Sequence, residues 1–166
     1  MVVLVAYGSK RGGTKGLAEM LATDLEAEGM EVEVRDAGEV KSVADYDAVV
    51  IGGSLYMFRW NKKTRRMVRR CTRELRERPT FFFSSGPLDD SATEKEIPPI
   101  KSVAALMARV GATEHMTFGG RMLPDARGFP AGAVAKNNAG DWRDPEHVAT
   151  WAHRVAGLLT GPSALA

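Results

Sequence analysis

Residues 2–14, Val-Val-Leu-Val-Ala-Tyr-Gly-Ser-Lys-Arg-Gly-Gly-Thr, decide the fold of this chain. The opening apolar run has the length of one strand and does not alternate, which is typical of a strand buried on both faces of a parallel sheet. A glycine-rich turn follows, and then Leu17, Leu21 and Leu25 repeat at helical spacing. The chain is therefore predicted to begin with a buried strand, a tight turn and an amphipathic helix.

Apolar runs and helical patterns continue to alternate after this unit. Further strands are predicted at 31–35, 48–53, 81–86 and 116–120, and helices at 12–28, 61–76, 100–110 and 145–159. Parallel strands joined by right-handed crossovers give a doubly wound α/β domain with three layers, predicted here as one domain over residues 1–166. Residues 124–143 lack any period, so we expect a functional or mobile loop there.

Length, composition and charge favour an ordinary globular protein. The chain has 166 residues, of which 44% are hydrophobic and 27% charged, and its net charge is +2. A single cysteine, Cys71, excludes an intramolecular disulfide and favours a cytoplasmic location. No apolar stretch approaches the roughly 20 residues that span a bilayer.

The turn after the first strand has the chemistry of an anion site. Glycines at 8, 12 and 13 let backbone N–H groups turn toward one point, and Ser9 and Thr14 add hydroxyl groups. The start of the following helix contributes a partial positive charge. The spacing matches neither a P-loop nor a dinucleotide-binding fingerprint, so the residues alone predict a phosphate site of another kind.

This segment resembles the phosphate loop of flavodoxins, Ser/Thr-x-Thr-Gly-x-Thr. Ser9, Gly12 and Thr14 match that pattern, whereas Lys10 and Arg11 depart from it. The resemblance implies a flavodoxin-like sandwich with a five-stranded parallel sheet in the order 2-1-3-4-5, and flavin mononucleotide (FMN) as cofactor. It assigns the flavin phosphate to Ser9, Lys10, Arg11, Gly12, Gly13 and Thr14. The two basic side chains either supply charge or lie in solvent while the backbone binds.

The resemblance also assigns two flavin loops. The first contains Ser54, Leu55, Tyr56 and Trp60, and in flavodoxins an aromatic residue four positions after a glycine, as Tyr56 stands after Gly52, lies against the ring. Trp60 either joins it there or caps the core. The second loop, Ser84, Ser85 and Gly86, corresponds to backbone groups that face the pyrimidine edge of the flavin.

Within the flavodoxin-like proteins, the chain resembles the branch that includes flavodoxin-type, quinone-linked protoporphyrinogen oxidases. The runs Gly-Gly-Ser-Leu-Tyr at 52–56 and Ser-Ser-Gly-Pro-Leu at 84–88 carry this likeness. It implies an FMN-dependent oxidoreductase that passes electrons between a donor and a quinone-like or small-molecule acceptor. Arg59 and Arg121 are candidates to steady a reduced ring or an acidic substrate, and no acid–base residue is assigned. An electron carrier and a flavin-free binding module are the alternatives.

The remaining chemical side chains give weaker signals. The three histidines have no metal-ligand spacing, so no metal site is predicted, and Cys71 on an apolar helix face is predicted to be a buried, inert thiol. Residues 59–78 carry a net charge of +8, against −6 for the rest of the chain. This basic segment is either a solvated helix face or a docking surface for an acidic protein, a dinucleotide phosphate or an anionic membrane. Nucleic acid is disfavoured because no aromatic residues are interleaved with the charges.

Overall fold

A computed structural model of the protein describes residues 1–122 and 140–162. The strands are β1 (Val2–Gly8), β2 (Glu31–Asp36), β3 (Ala48–Tyr56), β4 (Arg59–Trp60), β5 (Thr80–Ser85), β6 (Glu114–Phe118), β7 (Arg121–Met122) and β8 (Gly140–Asp141). The helices are α1 (Gly13–Ala27), α2 (Lys62–Arg70), α3 (Thr72–Arg76), α4 (Ser91–Glu94), α5 (Lys101–Val110) and α6 (Pro145–Thr160). A short 3-10 helix, Ala37–Glu39, follows β2.

Five parallel strands form the central sheet in the order β2-β1-β3-β5-β6. When only these strands are numbered, the order is 2-1-3-4-5, so the predicted topology is confirmed. The two-residue β4 pairs antiparallel with the end of β3 and adds a hairpin that the apolar pattern did not predict. β7 and β8 form a separate antiparallel pair.

The helices cover both faces of this sheet. On one face, α1 and α6 bury a cluster that includes Leu21, Phe83 and Trp151. On the other, the 59–78 segment and α5 bury a second cluster around Ile51 and Phe82. Neighbouring positions of one strand enter opposite clusters, as Phe82 and Phe83 do. This double burial is the physical reason why the strands read as continuous apolar runs.

Local signals place most helix ends where the sequence predicted them. Asp144 accepts a hydrogen bond from the Glu146 amide at 3.0 Å, and Pro145 occupies the first turn of α6. The helix predicted at 61–76 is instead divided at Cys71, whose backbone leaves helical geometry (φ −99°, ψ 14°). Cys71 is buried as predicted, and burial raises the pKa of its thiol.

Two further observations concern the chain as a whole. Most of the loop predicted at 124–143 lies outside the described residues, which resume at Gly140. Within residues 1–122 and 140–162, no helix is long and apolar enough to cross a bilayer.

Close approach of neighbouring groups explains a glycine in the middle of β3 and another at the carboxyl end of β1. A Cβ atom at Gly52 would stand 1.9 Å from the ring of Phe83, and one at Gly8 would stand 2.1 Å from the Thr64 hydroxyl. Thr64 in turn donates a hydrogen bond to the Gly52 carbonyl at 3.0 Å. Only glycine fits at these points, so β1 and β3 pack tightly against Thr64 and Phe83 beside the loop that follows β1.

Candidate functional site

An open cavity lies at the carboxyl ends of β1, β3 and β5, with about 790 Å³ of free space including the part open to solvent. Open parallel sheets bind ligands at this edge, where the strand order reverses. The lining residues come from four chain segments: Ser9, Lys10, Arg11, Gly13 and Thr14; Ser54, Leu55, Tyr56 and Met57; Ser85, Gly86 and Leu88; Gly120, Arg121 and Met122. Ten of the thirteen residues predicted for the cofactor site therefore line one cavity.

The phosphate-loop prediction corresponds to one end of this cavity. Gly12 precedes α1 in the left-handed region (φ +83°), and no side chain caps the helix. The Ser9 hydroxyl accepts a hydrogen bond from the Gly12 amide at 2.9 Å, which holds the turn closed. Thr14 is 1% exposed, and its buried hydroxyl has no hydrogen-bond partner. Because buried hydroxyl groups are nearly always paired, Thr14 and the start of α1 are suited to an anionic ligand.

Positive charge dominates the cavity lining. Lys10, Arg11 and Arg121 line it, and no Asp or Glu is among the lining residues. The Lys10 ammonium lies 5.5 Å from the centroid of the Tyr56 ring, and the Arg11 guanidinium lies 5.2 Å from it. Of the two alternatives for these side chains, the structure supports charge directed into the site over side chains that lie apart from it.

The β3–β4 hairpin forms a second wall. Tyr56 lines the cavity, and its buried hydroxyl has no hydrogen-bond partner. Met57 and Phe58 form the two-residue loop of the hairpin, with φ values of +50° and +60°. Positive φ at both loop positions is the pattern of a type I′ turn, which matches the twist of the flanking strands. This turn fixes Tyr56 and Met57 beside the phosphate end.

Two residues of the predicted flavin loops have their side chains in the core, which for Trp60 is the second of the two alternatives. Trp60 is 1% exposed and packs in the core, its ring centroid 4.9 Å from that of Phe82. Ser84 is also 1% exposed and points away from the cavity, with its hydroxyl 2.8 Å from His115 Nε2. Burial of His115 lowers its pKa to about 4, so this ring is neutral at pH 7.

Two other predicted residues border the cavity without lining it. Gly12 shapes the backbone at the helix start, as described above. Arg59 is exposed on β4, paired with Tyr56 across the hairpin. Its candidate role beside the ring is therefore not matched by its position, whereas Arg121 lies in the lining.

Arg143, which follows β8, contacts the backbone at the end of the phosphate loop. The Arg143 side chain bonds to the Asp141 carboxylate at 2.7 and 2.9 Å, and its Nη1 donates to the Gly13 carbonyl at 3.5 Å. The hydrogen bonds from Arg143 lower the pKa of Asp141. Arg143 thus links the β8 segment to the first residue of α1.

Sequence reasoning missed four of the lining residues: Met57, Leu88, Gly120 and Met122. Leu88 and Gly120 follow the carboxyl ends of β5 and β6, so the rule that loops at this edge form the site could have found them. The two methionines carried no such signal, because methionine is used equally in cores and at binding surfaces. Among the described residues, no group of three or more His, Cys, Asp or Glu side chains is placed to hold a metal ion.

Comparison with known proteins agrees with this geometry. A family model described as "Flavodoxin domain" matches residues 4–129. The chain belongs to this flavodoxin domain family. FMN is the cofactor of flavodoxins, so the predicted cofactor is confirmed at the level of the family. The family match also covers all four segments that line the cavity.

Among curated relatives, this flavodoxin-domain chain is similar to protoporphyrinogen IX dehydrogenase [quinone] of Escherichia coli strain K12. The two are 26% identical over 106 residues, which is 63% of this chain and 58% of the relative. The chain thus spans less than two thirds of the length of the curated relatives it matches. The predicted resemblance to this branch is confirmed as a weak similarity.

Solved structures support the fold alone. The flavodoxin of Streptococcus pneumoniae TIGR4 superposes with a TM-score of 0.61 at 13% identity, covering 95% of this chain and 99% of that one. Rubredoxin oxygen:oxidoreductase from Desulfovibrio gigas gives a TM-score of 0.63 at 14% identity, with 95% of this chain and 36% of that one.

Proposed function

We propose that this protein is an FMN-dependent oxidoreductase that passes electrons between a donor and a quinone-like or small-molecule acceptor. One observation carries the proposal. The unpartnered Thr14 hydroxyl and the uncapped start of α1 share a cavity with three cationic side chains and no carboxylate. A doubly charged phosphate monoester is the ligand that this combination favours.

The lining residues fit the two ends of FMN. Ser9, Thr14 and the backbone N–H groups at the start of α1 would hold the phosphate, with Lys10 and Arg11 supplying charge. Tyr56 offers an aromatic face to a flat ring. When bound, FMN supplies the one- or two-electron chemistry, and the protein supplies position and electrostatics.

The sign of the charge in the cavity favours reduction of a bound group. Lys10, Arg11 and Arg121 lower the energy of a negative charge placed between them. No carboxylate among the described lining residues opposes this effect. Ser85 and Gly86 would meet the polar edge of the ring with backbone groups. The name of the E. coli relative, a quinone-linked dehydrogenase, supports a quinone as acceptor.

A visible spectrum followed by FMN titration tests the cofactor assignment. We expect the purified protein to bind FMN with quenching of flavin fluorescence, and to bind riboflavin, which lacks the phosphate, much more weakly. The reduced holoprotein should then be mixed with a water-soluble quinone in a stopped-flow instrument. Rapid, saturable reoxidation supports the oxidoreductase, whereas a protein without measurable FMN affinity would contradict the whole proposal.

A flavodoxin-type electron carrier is the second candidate. The match of residues 4–129 to the flavodoxin domain family supports it. Redox titration separates the two candidates. Two well-separated one-electron steps, with slow quinone turnover and rapid reduction of a one-electron protein acceptor, would favour the carrier. A single two-electron step with rapid quinone turnover would favour the oxidoreductase.

A further inference from the structure

The tip of the β3–β4 hairpin exposes two large apolar side chains at the edge of the cavity. Phe58 is 90% exposed and Met57 is 64% exposed, and both are more exposed than any other large apolar side chain of the described residues. Met57 also lines the cavity. The tip therefore projects from the rim of the candidate cofactor site.

The backbone at this tip is costly for these residue types. Both φ values are positive, in the left-handed region where a Cβ atom meets the neighbouring carbonyl oxygen. Two-residue loops of this kind strongly prefer Asn and Gly, which would also leave no apolar surface in water. Folding alone thus favours other residues at Met57 and Phe58. Packing within the described residues therefore does not explain the strain at this exposed apolar tip, which points to a ligand or partner for these side chains.

Basic side chains surround the tip. Arg59 and Lys62 are exposed and follow Phe58 within four residues. Lys10 and Arg11 lie over the ring of Tyr56, the residue that precedes the loop. The acidic side chains at this edge include Asp36, which is paired with Lys63 at 3.2 Å, and the exposed Asp89 and Asp90 in the loop after β5. An apolar tip within a set of cations is complementary to a surface that combines negative charge with hydrocarbon.

We infer that the Met57–Phe58 tip docks on an anionic phospholipid bilayer. The two apolar side chains enter the interfacial region, and Arg59 and Lys62 remain at the level of the lipid phosphates. The mouth of the cavity, to which Met57 belongs, then faces the membrane. The proposed function gives the docking a purpose, because quinones with apolar tails reside in the bilayer. The evidence for the docking surface itself does not depend on that function.

A bilayer fits the tip better than a protein partner does. The patch presents two adjacent apolar side chains, which is too small an area for the core of a stable protein interface. Shallow insertion combined with several cations is, in contrast, sufficient for reversible membrane binding. The cations continue along α2, where Arg66 and Arg69 are exposed.

Vesicle co-sedimentation of the full chain tests the inference. Vesicles of phosphatidylcholine mixed with phosphatidylglycerol are compared with vesicles of phosphatidylcholine alone, with and without FMN. We expect binding to the anionic vesicles that weakens as salt is raised. Phe58→Ser should weaken it about tenfold, because an inserted side chain is lost. Arg59→Gln with Lys62→Gln should weaken it about 25-fold, at roughly fivefold for each cation.

Matched variants make the result specific to the tip. Leu158→Ser removes an apolar side chain that is 43% exposed on α6, and Arg73→Gln with Arg76→Gln removes two exposed charges of α3. Neither control variant should change the affinity for anionic vesicles by more than about twofold. Equal vesicle binding by Phe58→Ser and Leu158→Ser would overturn the inference. So would a loss of binding in the α3 variant with no loss in the Arg59→Gln, Lys62→Gln variant.

Two further outcomes would also overturn it: binding no stronger to anionic than to neutral vesicles, and a dimer in sedimentation velocity that requires Phe58 while vesicles bind nothing. The apoprotein measurement keeps the two proposals apart. Vesicle binding in a protein that fails to bind FMN would refute the proposed function and leave the docking surface intact. FMN binding without vesicle binding would refute the docking surface and leave the proposed function intact.

Discussion

The guanidinium of Arg121 donates a hydrogen bond to the backbone carbonyl oxygen of Arg11, with 3.3 Å between Nη2 and O. The two residues are separated by 110 positions in the sequence. The bond ties β7 to the phosphate loop at the point where the loop turns into α1. Both side chains line the cavity, so the same contact shapes the loop and adds positive charge to it.

Replacing Arg121 by glutamine should therefore weaken FMN binding. The variant loses one charge of the cavity and a charge-assisted bond to the loop, each of which stabilises a bound dianion. We expect the dissociation constant to rise about tenfold, in line with roughly 1.5 kcal/mol for a hydrogen bond from a charged group. Fluorescence titration measures it. The control is Arg109→Gln, whose guanidinium donates to the Thr72 hydroxyl on α3 at 2.9 Å, and an equal loss there would contradict the assignment.

Thr14→Ala should separate cofactor binding from stability. The Thr14 hydroxyl is buried without a partner, so its removal should leave the unfolding free energy of the apoprotein unchanged or raise it slightly. FMN affinity should fall by about 1.5–3 kcal/mol if the hydroxyl bonds to the phosphate. Thr23→Ala is the matched control on the same helix, because its hydroxyl bonds to the Glu19 carbonyl in solvent. A Thr14 variant with unchanged FMN affinity would rule out the phosphate site.

The positive charges of Lys10 and Arg11 should strengthen binding of the FMN phosphate and have little effect on binding of the isoalloxazine ring. Replacing both with glutamine keeps polar side chains of similar length and removes two positive charges. We expect weaker FMN binding with a shallower salt dependence, because fewer charges attract the dianion. Riboflavin, tested in parallel, should bind the variant and the parent within about threefold of each other, since it has no phosphate. A parallel loss of riboflavin affinity would assign these side chains to the ring instead.

Most of the fold was predictable because burial on both faces leaves a strong mark on the sequence. Runs such as Ala48–Ile51 and Phe81–Phe83 contain no alternation, and each became a central strand. The edge of the sheet that carries the site followed from the same pattern, because carboxyl ends of parallel strands meet. The same pattern assigns Thr14, Tyr56 and Ser85 to one cavity, and all three line it.

The sequence does not reveal the β3–β4 hairpin, and this leaves the position of Trp60 open between the flavin and the core. Met57 and Phe58 form a turn normally signalled by Asn-Gly, so β4 was not predicted. The turn sends the chain back along β3, pairing Trp60 with Leu55, and the indole enters the core against Phe82. Ser84 lies within β5, as predicted, and the alternation of the strand sends its side chain to His115 while Ser85 lines the cavity.

Substitutions in the β3–β4 turn should stabilise the folded protein. Met57→Asn with Phe58→Gly installs residues that adopt positive φ at little cost. We expect the unfolding free energy to rise by about 1–2 kcal/mol, as the strain of two left-handed residues is relieved. Urea denaturation measures it. Met57→Ala with Phe58→Ala keeps both Cβ atoms and should give no gain, so an equal rise in both variants would refute the strain argument.

The pair of Ser84 and His115 should make stability depend on pH. Burial lowers the pKa of His115 to about 4, from an ordinary value of 6.5. Between these values the unfolded chain binds a proton that the folded protein does not, so the unfolding free energy falls as the pH drops from 6.5 toward 4. From pH 7 to pH 5 this one group should account for a loss of about 2 kcal/mol.

His115→Gln isolates that contribution, because glutamine can bond to the Ser84 hydroxyl but does not titrate. Urea unfolding of both apoproteins at pH 7, 6 and 5 should give a steeper decline for the parent than for the variant. His147, whose pKa burial also lowers, is present in both proteins and cancels in the difference. Ser84→Ala retains the buried ring and should keep the steep decline. Parallel curves for the parent and His115→Gln would show that His115 titrates normally and is reached by water in the folded protein.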